Sequence, residues 1–171
     1  MVKVSFGIKM GDKTMTDEFY MKKAIATAKT AEKHLEVPVG AIVVCDGKII
    51  SRGRNMREGK NNALAHAEII AIERACKKLG RWRLHDCQLY VTLEPCPMCA
   101  GAIVNSRIEK VVFGAYDKKA GAYGSVFNMS DFPLNHFPQV VGGVMEKQCS
   151  ALLSNFFAML REKKRKGNIN G

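Results

Sequence analysis

Nowhere does the chain stay apolar for the roughly 18 consecutive residues that a membrane-spanning helix requires, so no membrane segment is expected. Met1 to Thr16 mix charge and apolarity without the apolar core or small-residue cleavage site of a secretory signal, and the expected location is cytoplasmic. Internal repeats and low-complexity linkers are missing too, which excludes solenoids and tethered arrays. Acidic residues are scarce: 16 Asp and Glu stand against 27 Lys and Arg, giving a formal charge of +11 and a pI near 9.5. Such an excess attracts polyanions and speeds their encounter. Nucleic acid or an anionic surface is therefore the expected partner, with a merely solvated basic surface as the plainer alternative.

What is present suits one globular unit. A chain of 171 residues, 47% hydrophobic and 25% charged, can bury a substantial core but is short for two domains. A single domain is expected over 1–171, with 1–15 a loose N-terminal extension and 161–171 a basic C-terminal tail. Of the six cysteines, Cys45, Cys76, Cys87 and Cys149 lie in or beside apolar patterns and read as small core residues rather than disulfide partners.

Tyr20, Ala24, Ala28, Ala31 and Leu35 recur at helical spacing behind a cap at Thr16 or Asp17, with Pro38 as the stop. Val39 to Cys45 reads as a buried strand, Asp46-Gly47 as a hairpin turn, and Lys48 to Gly53 as its antiparallel partner. Arg54 to Leu64 is polar and expected to be a loop delivering Asn55. A helix follows from Ala65, with Ile69, Ile72, Ala75, Cys76 and Leu79 as its apolar stripe and Gly80 as its stop. A strand over Gln88–Leu93, a helix from Cys96 to about Ser106 and a strand over Lys110–Ala115 come next. This alternation implies parallel neighbours joined by crossovers. Tyr116 to Pro138 has little periodicity, Val140-Val141 reads as a short edge strand, and Glu146 to Lys164 as a last helix. Its inward face is expected to hold Cys149, Leu152, Leu153, Phe156, Phe157 and Leu160. The fold class is α/β: a three-layer α/β/α sandwich around a mixed five-stranded sheet.

Chemistry concentrates in two runs, His66-Ala67-Glu68 and Glu94-Pro95-Cys96-Pro97-Met98-Cys99. Thiols three residues apart at the start of a helix project from one face of its first turn. With His66 they make a Cys₂His set for Zn²⁺, formally neutral once both thiols ionise. Three protein ligands leave one position for water, whose pKa falls toward neutrality, whereas a closed four-ligand site only holds a fold together. Glu68, two residues from a ligand, reaches that water as a proton shuttle. Alone, Cys-x-x-Cys also occurs in redox pairs and structural zinc sites; in combination with His-x-Glu it is the known zinc-deaminase signature.

On these residues, together with Val37–Ala41, Arg54-Asn55, Thr92 through Ile103, Val111–Ala115, Gly121–Ser125, Asn135-His136, Leu152-Leu153 and Phe156-Phe157, the sequence resembles the tRNA-specific adenosine deaminases of the cytidine deaminase-like superfamily. The resemblance spans about Asp17 to Arg161. It implies a cytidine deaminase-like fold, one Zn²⁺ per subunit, a homodimer, and hydrolysis of adenosine to inosine at the wobble position of a tRNA anticodon stem-loop, commonly of the arginine acceptor. By the same resemblance Asn55 bonds the target base, and Asp117, Asn135 and Phe157 contact substrate. The basic helix end Arg161–Lys166 either holds phosphates or complements the helix dipole. Relatives often carry Asp-Pro-Thr where Asn62-Ala63-Leu64 stands, and arginines at Ala158 and Leu160. A guanine deaminase acting on free base and an RNA-binding module with structural zinc are the alternatives.

Overall fold

The computed structural model describes residues 15–167. Residues 1–14 of the expected extension and 168–171 of the expected tail lie outside them. Helix α1 (Asp17–Glu32) starts as the sequence suggests: Thr16 Oγ1 accepts from the Phe19 N–H at 3.3 Å, and Asp17 and Glu18 occupy the positive end of the dipole. It stops early. Leu35, expected in the buried stripe, adopts φ 57° in the turn beyond and is 56% exposed. Pro38 restricts the residue before it to extended backbone, and the chain leaves the helix ahead of that constraint.

Strand β1 (Gly40–Cys45) is buried at every position. Asp46 and Gly47, at φ 48° and 71°, make the tight turn into β2 (Lys48–Arg54). The polar segment beyond is not wholly loop: α2 (Arg57–Lys60) is a single turn, tied down by the Gly59 N–H donating to Glu36 Oε1 at 2.8 Å. Then follow α3 (Ala67–Leu79), ended by Gly80 at φ 66°, β3 (Cys87–Leu93), α4 (Pro97–Asn105), β4 (Lys110–Ala115), β5 (Gln139–Val141) and α5 (Glu146–Gly167). Helix α5 absorbs residues 161–167, expected as tail.

The five strands lie in the order β2-β1-β3-β4-β5, with β1 antiparallel to β2 and β3, and with β3, β4 and β5 parallel. This corrects one expectation. Strands β2 and β3 run the same way but are not neighbours, because β1 lies between them and α3 crosses over it. The cause is chemical: β1 is apolar on both faces and needs a partner on each side, whereas β2, with Lys48, Arg52 and Arg54, suits an edge.

Helices α3 and α4 cover one face over Ala41, Val43, Leu89, Val91, Val111 and Phe113. Helices α1 and α5 cover the other over Ile42, Val44, Tyr90 and Val112, giving the three layers. Gly53 allows the closest approach in the upper layer: a Cβ there would collide with the Ala67 carbonyl oxygen. Beside it Ser51 Oγ donates to Ala71 O at 2.7 Å, so α3 is fastened directly to β2. Within α3 the buried apolar positions are Ala67, Ile70, Ala71, Ile72 and Ala75, while Ile69 is half-buried.

Candidate active site

Three chain segments end together at one rim of the sheet. His66 is the N-cap of α3 and Cys96 that of α4, both extended, and Cys99 lies in the first turn of α4 behind Pro97. Proline at that position costs the helix nothing, since its N–H would have no partner. Neither N-cap side chain makes a capping hydrogen bond. The positive ends of two helices therefore face the thiols, an environment that favours thiolate.

His66 Nδ1 lies 3.7 Å from Cys96 Sγ and 3.6 Å from Cys99 Sγ. With Zn–S of about 2.3 Å and Zn–N of about 2.0–2.1 Å, a tetrahedral ion holds neighbouring sulfur and nitrogen donors ~3.6 Å apart. The residues fit the ion in both chemistry and spacing. Donation from Cys99, together with His66 and against the cost of burial, brings the Cys96 thiol down to about 4. Cys99, as donor to Cys96 and as a buried group, is pushed up. His66 is raised chiefly by its bond to Cys96.

Glu68 stands in the first turn of α3 and is 4% exposed. Burial raises its carboxyl to about 7, only partly offset by a backbone hydrogen bond and His66. Its Oε2 has no partner among the described residues. An unpaired buried carboxylate oxygen costs free energy unless something polar meets it. Here it borders a cavity of about 240 Å³ lined by His66, Glu68, Cys96, Asn55, Arg57, Asp117 and apolar Val37, Val39 and Leu93.

Asn55, where β2 runs out, is held by its N–H donating to Val39 O at 3.1 Å and faces this cavity. Asp117 follows β4; its Oδ1 accepts from the Lys119 and Ala120 N–H groups at 2.9 and 3.2 Å, closing a turn at the mouth. Asn135 and Phe157 are exposed and are not among the lining residues. Phe157, expected inward on α5, is 43% exposed while Phe156 is buried at 3%. Successive helical residues lie ~100° apart, so one narrow contact with the sheet takes only one of the two rings.

Two lining residues escape a reading of the sequence. Arg57 projects from α2, which polar composition disguises as loop. Glu94 is 1% exposed and accepts four hydrogen bonds: from the N–H of Asp117 at 3.0 Å, Tyr123 at 2.9 Å and Ser125 at 3.1 Å, and from the Ser125 hydroxyl. Burial pushes this carboxyl up, but these donors outweigh it and hold it below the ordinary range. Gly121 passes so close that a Cβ would strike the carboxylate. One side chain thus wraps the 117–125 loop around the end of β3.

The sequence is similar to those of known proteins. The tRNA-specific adenosine deaminase of Bacillus subtilis (strain 168) is 54% identical over 155 residues, 90% of this chain and 96% of that protein. The chain belongs to the tRNA-specific adenosine deaminase family. The broader pattern of MafB19-like deaminases matches residues 15–161. Among solved structures, a protein from work on A-to-I editing by tRNA:A34 deaminases at the wobble position of transfer RNA is similar with a TM-score of 0.77 and 42% identity, covering 79% of this chain and 99% of that one. The guanine deaminase of Bacillus subtilis shares the fold less completely: TM-score 0.59 and 40% identity over 68% of this chain and 73% of that one. The family's cytidine deaminase-like sandwich is the one seen here.

Proposed function

We propose that the protein hydrolyses adenosine to inosine and ammonia at the wobble position of a tRNA anticodon, that of an arginine acceptor, with Zn²⁺ held by His66, Cys96 and Cys99. One observation carries the reading: the Glu68 carboxylate, buried and half unpartnered, borders the same cavity as a Cys₂His donor set of zinc spacing. Zn²⁺ there supplies Lewis acidity that brings deprotonation of water within reach of neutral pH.

Glu68 takes the proton from the attacking water and passes it to the ring nitrogen beside the reacting carbon; it then takes the proton of the newly added hydroxyl and gives it to the departing amine as the carbonyl forms. Its raised affinity for protons suits both directions of transfer near neutrality. Asn55 offers an amide to the base edge, and Val37, Val39 and Leu93 supply apolar walls that exclude water. A ring at the bottom of such a cavity must leave its stack, which an unpaired anticodon nucleotide does at low cost. Asp117 meets the nucleotide at the mouth. Asn135 and Phe157, outside the cavity, serve neighbouring nucleotides, and the working unit is a homodimer in the cytoplasm. Among the described residues no helix is long and apolar enough to cross a membrane.

The test is zinc-loaded protein incubated with an anticodon stem-loop carrying adenosine at the wobble position, beside free guanine and a Glu68→Ala control. Inosine is expected from wild type alone, with turnover in Glu68→Ala lower by about 10²–10⁴-fold and zinc and RNA binding retained. Ammonia from guanine without inosine assigns the protein to free-base chemistry. Tight RNA binding without either product leaves a binding module.

A further inference from the structure

Beyond the catalytic cavity, a groove of about 500 Å³ with a basic lining lies between α1 and the outer edge of the sheet. Lys23 enters it from α1, Arg52 and Arg54 from β2, and Arg74 from α3; no Asp or Glu lines it. None of the four takes part in an ion pair among the described residues. Arg74 instead reaches across the strand, its Nη1 donating to Arg52 O at 2.7 Å, which holds the guanidinium at the groove. Four cations gathered without a counter-charge repel one another, and an anion relieves that cost.

The shape selects the anion. The basic track continues along β2 into an adjoining depression lined by Arg52, Arg74 and Lys78. A row of charges beside a strand suits a polymer rather than a single phosphate. Its other end meets the catalytic cavity through one short segment. Ser51 and Gly53 face α3, and Asn55 continues that side into the cavity. Arg52 and Arg54, alternating with them, face the groove. Adjacent residues Arg54 and Asn55 therefore serve the two places.

We propose that this groove is a phosphodiester track, along which the RNA strand leaving the catalytic cavity runs beside the edge of β2. The proposal rests on the RNA reading above and adds to it a contact surface away from the reacting base. Lys23 and Arg52 neutralise backbone phosphates without reading sequence. Their loss weakens RNA binding and leaves the chemical step alone.

The test compares wild type, Lys23→Glu/Arg52→Glu and a charge-matched control on the far side of α1 and on α5, Lys29→Glu/Lys147→Glu, all zinc-loaded and shown to melt alike. Stem-loop RNA affinity is measured against salt, and inosine formation is measured on the same RNA. The groove variant should raise Kd and KM by about 10-fold or more with kcat within about twofold, and flatten the slope of log K against log salt by ~2; the control should change Kd by less than about threefold. Groove and control variants with equal affinity and slope would overturn the proposal, and the four cations would then only guard the sheet edge against pairing. If wild type makes no inosine yet the groove variant still loses RNA affinity, the track stands and the catalytic reading falls. A wild type that does not bind RNA sinks both.

Discussion

Two clusters in the described residues combine a pair of cysteines with a third ligand-type side chain: His66, Cys96 and Cys99, and Cys45, Asp86 and Cys87. They are alike in composition and opposite in setting. Cys96 and Cys99 sit at a helix start facing positive helix ends, and Cys96 borders a cavity with an unpartnered carboxylate. Cys45 and Cys87 face each other in register across β1 and β3, both buried, and burial pushes both thiols up. The third member, Asp86, is paired with Arg81 at 2.5 and 2.7 Å, so its charge is already met by a guanidinium. Ligand chemistry thus follows from what surrounds a thiol more than from having another beside it. In a sheet, paired cysteines pack as small hydrophobes; at a helix start beside open volume, Cys96 is drawn toward thiolate.

That contrast can be broken by exchange. Cys96→Ser should remove zinc and lower inosine formation by more than about 10³-fold, whereas Cys87→Ala should keep both and cost only about 1–2 kcal/mol of stability. Metal content, activity and denaturant midpoints of the two variants decide it, and zinc loss from Cys87→Ala would erase the distinction. A smaller effect is expected one step out from the metal. Glu94→Gln places an amide N–H₂ against backbone donors, which should cost about 2–3 kcal/mol, loosen the loop carrying Asp117 and raise KM while zinc stays bound. Amide exchange at 117–125 measures this; unchanged protection there would remove Glu94 from the site's construction.

The smallest effect belongs to the other cluster. Arg81 holds the Asp86 carboxyl below its ordinary value through their hydrogen bonds. A depressed folded-state pKa adds stability that is fully present above the unfolded value, ~3.9, and disappears as pH falls through the folded one. Asp86→Asn should therefore lower Tm slightly at neutral pH and converge with wild type in acid, the difference shrinking with salt because the pair is exposed. A gap that persists at low pH would assign the loss to packing.

The grouping of His66, Glu68, Cys96 and Cys99 was legible because each member carries a local signal: a helix start, a proline at its first position, and fixed spacings of two and three residues. Strand existence was legible for the same reason, since β1 and β4 are short continuous apolar runs. Neighbour relations were not. That β1 separates β2 from β3 follows from which strand tolerates an edge, a property of charge on both flanks rather than of the connection between them. Leu35 and Phe157 both fit a helical period, and both lie outside it, since period alone does not reveal where a helix ends or how wide its buried stripe is. Glu94 shows the deeper gap: its task is set by N–H groups on residues 23 to 31 positions later, and no local pattern advertises that.

Gly53 has a bearing on how the site would be rebuilt elsewhere. With no side chain between strand and helix, the segment from Ile49 to Ile72 behaves as a single splint carrying Asn55, His66 and Glu68 in fixed relation. A designer transplanting this chemistry would therefore graft that splint whole and fit the Cys96 helix to it, instead of copying side chains one at a time.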